Sequence, residues 1–217
     1  MSEEQPSETI RPLHDVWLRP RRVFRELADR PIGRTDYLLG CVQGIVSWLA
    51  FSRAQSAGSG EHVAAILGTA LIAGPIAGVL GLYLMSTVYM RLGRAVGGIA
   101  TRNQVFHVLA YSGVPMVTSL MVWLATAAIV GAPTFIQPPR GDLEPFLALL
   151  LRLQFLSHAL LVGWTLLLQV MGFSEVERLA TVRAFGIWVL GQALVMLAIL
   201  MIWILILGLS GVKPPTA

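Results

Sequence analysis

Four polar residues recur along one long apolar stretch of the sequence, and their types and spacing could support chemistry. They are Gln154, His158, Thr165 and Gln169. At about 100° per residue in a helix, this spacing places all four within roughly 60° of arc on one face. A polar stripe of this kind inside a membrane could carry a proton or a polar substrate, with His158 as the titrating group.

Hydrogen bonding between helices explains the same stripe. A path for ions normally needs a second ionisable group inside the membrane, and we expect every Asp and Glu here to lie in a connection, in the tail or at the edge of a span. We therefore expect the stripe to bond to neighbouring helices, with Gln43, Ser47 and Gln192 as partners. Transport stays open as the alternative.

Enzyme signatures are absent from the sequence. It contains no H-E-x-x-H, G-x-S-x-G or GxxxxGK[ST] motif, and its four histidines are too scattered to indicate a metal site. Cys41 is the only cysteine, which excludes an intrachain disulfide and a CxxC motif. We predict no catalytic residue, no metal and no cofactor.

Long uncharged runs define the elements that must hold these residues. The chain is 55% hydrophobic and 13% charged, with a mean hydropathy of +0.70. A continuous apolar run of about 18 residues or more is typical of a membrane-spanning helix, whereas barrel strands are short and alternate. We predict an all-α integral membrane domain over residues 35–211, with five spans at about 36–53, 62–90, 105–130, 146–171 and 184–209.

The distribution of basic residues predicts the orientation. With the N-terminus inside, twelve arginines fall on the inner side and four basic residues on the outer side. The positive-inside rule then places the N-terminus in the cytoplasm and the C-terminus outside. The inner residues are Arg11, Arg19, Arg21, Arg22, Arg25, Arg30, Arg34, Arg91, Arg94, Arg102, Arg178 and Arg183, and the outer ones are Arg53, Arg140, Arg152 and Lys213.

The N-terminal region divides into two segments before the first span. Residues 1–12 form an acidic tail that we expect to be disordered. Residues 13–34 predict a short amphipathic helix at the membrane interface, starting at Pro20, with its apolar side in lipid and its arginines on anionic headgroups rather than on nucleic acid. The interface residues are Trp17, Arg19, Pro20, Arg21, Arg22, Phe24, Arg25 and Leu27. Residues 212–217 form a C-terminal tail.

Two local patterns concern packing and helix ends. Ala70, Gly74, Gly78 and Gly81 form a stripe of small residues on the second span, suited either to self-association or to packing within the bundle. Ser174 with Glu177 three residues later has the spacing of a capping box, which predicts the start of the fifth helix.

Three stretches, taken in order, resemble the Yip-domain family of Ypt/Rab-interacting membrane proteins, in its bacterial form. They are "RPRRVFREL", "GGIATRNQVFHVLAYSGVP" and "GWTLLLQVMGFSEVERLATVRA". The resemblance implies a five-helix bundle with a cytoplasmic N-terminal segment, and for the eukaryotic members it implies trafficking and Rab binding. Its motif residues in the second stretch include Gly97, Gly98, Tyr111, Ser112 and Pro115.

These observations together predict a non-enzymatic membrane protein. We expect a scaffold or membrane-organising role through lateral contacts with lipid, with other membrane proteins or with a second copy. A transporter or permease subunit that uses the polar stripe of the fourth span is the alternative.

Overall fold

The computed structural model describes residues 11–137 and 144–210, with the side chains of 199, 202, 203 and 206–210 excepted. The predicted tails lie outside these residues, apart from Arg11 and Pro12. The helices are α1 (Pro12–Asp15), α2 (Pro20–Leu27), α3 (Arg34–Ala54), α4 (Val63–Ala95), α5 (Arg102–Ser112), α6 (Val114–Val130), α7 (Pro145–Val176) and α8 (Thr181–Ser210). Short 3-10 turns occupy Ala57–Ser59 and Ala132–Phe135. The described part is 83% helical and contains no strand, so the all-α prediction is confirmed.

Four helical segments in the described part are long and apolar enough to cross a membrane: Val63–Ala95, Arg102–Val130, Pro145–Val176 and Thr181–Ala198. The second of these combines α5 and α6. The first predicted span, α3, is not among them, because Asp36, Gln43 and Arg53 lower its hydropathy. The protein is therefore an integral membrane bundle. The helix α3 is held in this bundle by its contacts with α4.

Glycines let α3 and α4 pack with their backbones in contact. Gly40 and Gly44 on α3 face Gly74 and Gly78 on α4, and a Cβ on Gly74 would lie 2.7 Å from the Cα of Ile45. A Cβ on Gly44 would collide with the carbonyl of Gly74. Close approach through small residues is how membrane helices gain packing energy without a hydrophobic drive between them.

Most of the stripe of small residues on α4 therefore packs against other helices of the same chain. Ala70 is buried, with 1% exposure, in the same face as Gly74 and Gly78. Gly81 takes no part, because open space surrounds the position of its missing Cβ. These contacts are those of packing within one chain.

The helix α5 lies at the centre of the bundle, and α7 and α8 lie at its periphery. Every residue of α5 from Val105 to Ser112 is buried. By contrast, Leu160 on α7 is 75% exposed and Val182 on α8 is 82% exposed. Large apolar side chains exposed on the outside of a helical bundle suit contact with lipid chains.

Candidate functional site: the basic end of the bundle

One end of the bundle collects most of the chain's arginines, and we call it the basic end. It consists of the segment from Arg11 to the first turn of α3, the last turn of α4, the first turns of α5 and α8, the end of α7 and the two connections between these helices. Arg25 pairs with Glu175 at 2.8 Å, and Arg21 Nη2 donates to Thr181 Oγ1 at 3.3 Å. Segments far apart in the sequence therefore form one surface.

The apolar face of α2 is packed on protein. Val23, Phe24 and Leu27 are exposed by 2% or less, and α2 contacts both α5 and α7. Gly172 on α7 makes room for Val108 and for the Phe24 ring, since a Cβ there would lie 2.5 Å from Val108 Cγ1 and 3.1 Å from Phe24 Cδ2. The expectation that this face lies in lipid is wrong, because the bundle covers it.

The opposite face of α2 and the residue that precedes it carry exposed arginines. Arg19, Arg21 and Arg25 are exposed, and the Arg25 side chain keeps 73% exposure although it pairs with Glu175. Arg22 Nε donates to Glu26 Oε1 at 3.0 Å within the same helix. The basic end therefore presents guanidinium groups on a helix whose other face is fixed to the bundle. That these groups meet a membrane surface stays a prediction.

A buried acid–imidazole pair lies directly behind this surface. Asp36 Oδ1 and His107 Nδ1 are 2.6 Å apart, with exposures of 3% and 2% for the two residues. The other Asp36 oxygen accepts from the N–H of Gly33 at 2.9 Å, and His107 Nε2 lies 2.9 Å from the carbonyl oxygen of Arg30. Both ring nitrogens thus face oxygens, and a carbonyl can only accept. The Asp36–His107 pair must therefore share a proton whichever residue formally carries it.

This pair was not predicted from the sequence. Its residues are 71 positions apart, and we placed Asp36 at the edge of a span and His107 among scattered histidines. The usable signal was that each lies within two turns of the start of its helix, at the same end of the bundle. Within residues 11–137 and 144–210, no group of three His, Cys, Asp or Glu side chains could hold a metal.

The helix α4 ends in a turn that requires glycine. Gly97 has φ of +89°, Gly98 N–H donates to the Gly93 carbonyl at 2.8 Å, and Gly97 N–H donates to the Arg94 carbonyl at 3.2 Å. This pattern is a Schellman motif, in which glycine takes the left-handed position without steric cost. The motif residue Gly97 is thereby explained by backbone geometry.

The helix α7 ends in the same kind of turn, with an arginine in the left-handed position. Arg178 has φ of +52°, and Leu179 N–H donates to the Ser174 carbonyl at 3.2 Å. Ser174 Oγ in turn donates to the Leu179 carbonyl at 2.8 Å. The predicted capping box is wrong: Ser174 and Glu177 belong to the end of α7, and α8 begins only at Thr181.

The side chain of Glu177 joins these two turns. Its Oε2 accepts from the N–H of Ala100 at 2.9 Å, and the residue is only 2% exposed. A Cβ on Gly93 or on Gly98 would collide with this carboxylate, so both glycines leave the space that it occupies. Burial raises the pKa of the Glu177 carboxyl, although the Ala100 N–H and the charge of Arg94 act in the opposite direction.

The family-like "AYSGVP" stretch forms a break between α5 and α6. Gln43 Nε2 donates to two carbonyls in the last turn of α5, at 3.1 and 3.3 Å, and a Cβ on Gly113 would collide with its side chain. Ser112 Oγ donates to a carbonyl of the same turn at 3.1 Å, Tyr111 is buried, and Pro115 starts α6. These residues satisfy and shape backbone at a helix break. Gln43 was expected to bond to the polar stripe, and that expectation is wrong.

The members of the polar stripe on α7 do not converge on one path. Gln169 Oε1 accepts from Trp188 Nε1 at 2.7 Å, and Ser119 Oγ lies 2.7 Å from His158 Nδ1. The buried Thr165 hydroxyl has no partner in the described part of the chain. Each bonded member therefore connects α7 to a different helix.

The fourth member, Gln154, binds an arginine near the opposite end of the bundle. Arg53 is 9% exposed, donates to Gln154 Oε1 and lies 5.9 Å from the centre of the Phe155 ring. Because arginine only donates, the amide oxygen must face it, and the buried Gln154 Nε2 then has no partner among the described residues. This contact joins α3 to α7 through a residue that the sequence analysis counted only among the outer basic residues.

The fold and this surface define a class of protein: an all-helical, multi-pass integral membrane bundle with a short amphipathic helix fixed across its basic end. The chain belongs to the Yip1 domain family, whose domain it matches over residues 15–207. The family resemblance predicted from the sequence is confirmed. No curated protein and no solved structure matches the chain significantly.

Proposed function

We propose that this protein is a non-enzymatic scaffold of the bacterial inner membrane, which organises lipid and other membrane proteins through its basic end. One observation carries the proposal. The apolar face of α2 is buried on the bundle, while Arg21 and Arg25 are exposed on its other face. Positive groups held at fixed positions beside a bilayer suit the recognition of acidic headgroups and acidic protein segments.

The proposal includes five spans. The helix α3 runs antiparallel to α4, with Gly40 beside Leu82 and Gly44 beside Gly74, so both helices cover the same depth. Its 21 residues extend about 31 Å, which matches a hydrocarbon core of roughly 30 Å. With five spans and the basic end in the cytoplasm, the C-terminus lies outside.

Transport through the polar stripe has less support. Gln154, His158 and Gln169 each bond to a different helix, which favours a role in holding the bundle together. Hydrogen bonds of this kind are worth about 0.6 kcal/mol each in membrane bundles.

Photo-crosslinking in intact cells tests the scaffold. A photoreactive residue replaces Leu18, which is 76% exposed at the basic end, and in a matched variant it replaces Leu160, which is 75% exposed on α7. We expect discrete protein adducts from position 18, whether or not lipid adducts accompany them, and lipid adducts alone from position 160. Charge reversal by Arg21→Glu should remove the protein adducts, because the partner is acidic.

The two positions have nearly equal exposure, so a difference between them reports location rather than accessibility. Equal yields of protein adducts from both positions, or none from position 18, would contradict a scaffold that works through its basic end.

A further inference from the structure

A groove of about 470 Å³ lies between the α1–α2 segment and α7. Trp164, Leu167 and Met171 line it on α7, and residues 17–22 line it on the other side. Its volume falls within the range of about 300–1,000 Å³ that is typical of ligand sites. The groove is separate from the Asp36–His107 pair.

The groove is lined mainly by apolar surface, and three arginines are among its lining residues. Residues 164–171 extend for about 10 Å along α7, toward the centre of the membrane from the basic end. Arg19, Arg21 and Arg22 are the charged residues of the lining, which contains no acidic residue, and Arg22 also donates to Glu26. An occupant that is apolar along its length and negatively charged at one end would match this lining.

We propose that this groove binds one anionic phospholipid. An acyl chain would lie along Trp164 and Leu167, and the headgroup phosphate would lie beside Arg21. The Arg21 side chain is already oriented by its hydrogen bond to Thr181 Oγ1. Guanidinium groups suit phosphate because they present several donors in one plane.

The membrane supplies this occupant directly. The groove is lined by a spanning helix, and Leu167 is 47% exposed at its edge, so a lipid can enter sideways without leaving the bilayer. The inference rests on the proposed function in one respect: it names the lipid that the basic end contacts.

Native mass spectrometry of the full-length protein tests the groove. The purified protein is titrated with phosphatidylglycerol and with phosphatidylcholine that carry the same acyl chains, and bound copies are counted. We expect a preference for phosphatidylglycerol, and Arg21→Gln should weaken its binding about fivefold, since one arginine near an anionic surface has roughly that effect. Phosphatidylcholine binding should not change.

A second pair of variants tests the apolar surface of the groove. Leu167→Trp should fill the groove and lower the affinity for both lipids, whereas Leu160→Trp, on the same helix but outside the groove, should change neither. Both positions are partly or largely exposed, so we expect both variants to fold with unchanged melting temperatures. Equal binding of the two lipids, or an Arg21→Gln variant that binds phosphatidylglycerol normally, would overturn the proposal.

Competition with inorganic phosphate shows whether the groove binds a lipid headgroup or a free phosphate ion. If phosphate alone at millimolar concentration displaced phosphatidylglycerol, the groove would be an anion site and the lipid assignment would be wrong. A crosslinked partner at position 18 without any lipid preference would refute the groove and leave the scaffold intact. A lipid preference without a crosslinked partner would support the groove and contradict the scaffold.

Discussion

Removing either member of the Asp36–His107 pair should strongly destabilise the bundle. The two residues are 3% and 2% exposed and 2.6 Å apart, so Asp36→Ala leaves a buried imidazole and His107→Ala leaves a buried carboxyl. Breaking a buried pair by removing one partner costs about 3–5 kcal/mol. For a chain of this size each kcal/mol lowers Tm by roughly 2–4 °C, so we expect a decrease of about 6–20 °C for each variant.

A double-mutant cycle distinguishes pairing from simple loss of packing. Equilibrium unfolding in mixed micelles would give the free energy of unfolding for the two single variants, the double variant and the exposed control Asp29→Ala. The double variant should be more stable than the sum of the single losses predicts, by about 1–3 kcal/mol, because it leaves neither a buried imidazole nor a buried carboxyl without its partner. Additive losses within about 0.5 kcal/mol, or single variants no worse than Asp29→Ala, would refute the proton-sharing pair.

Three further predictions concern packing, protonation and transport. Gly44→Ala should destabilise the bundle by about 1–3 kcal/mol, because its Cβ meets the α4 backbone, whereas Gly81→Ala, with open space around it, should change stability by less than 0.5 kcal/mol, as thermal unfolding can measure. The raised pKa of Glu177 means that the folded protein binds the proton of this carboxyl more tightly than the unfolded chain does. Stability should therefore fall as pH rises from the ordinary carboxyl range through that raised value. Glu177→Gln should flatten this part of a curve of Tm against pH. His158→Ala and Gln154→Ala should leave solute uptake and growth unchanged at equal expression, and loss of uptake in both would favour transport over the scaffold.

The order and approximate starts of the long helices could be predicted from the sequence, because an apolar run is a local property of the chain. The predicted starts of the second and fourth spans, 62 and 146, lie within one residue of Val63 and Pro145, and α2 begins at Pro20 as expected. The environment of α2 could not be predicted in this way. An amphipathic pattern specifies that one face is buried, and either lipid or protein can cover it.

The sequence also could not reveal which polar groups meet. The pairing of Asp36 with His107 depends on how α3 and α5 are placed in the bundle, and no spacing rule covers residues 71 positions apart. The spacing of Ser174 and Glu177 was misleading for a related reason. The same three-residue interval fits a helix start, but the buried position of Glu177 beside Ala100 was decided by tertiary packing.

The backbone contact between α3 and α4 has a consequence for biosynthesis. Because α3 alone falls short of the apolar character of the four candidate spans and fits closely against Gly74 and Gly78, we expect it to enter the bilayer as a hairpin together with α4. A nascent chain that ends before Val63 should then leave α3 at the membrane surface, whereas one that extends past Ala95 should insert both helices. Glycosylation-site mapping of truncated chains during translation would measure this, and insertion of α3 without α4 would show that its own hydropathy suffices.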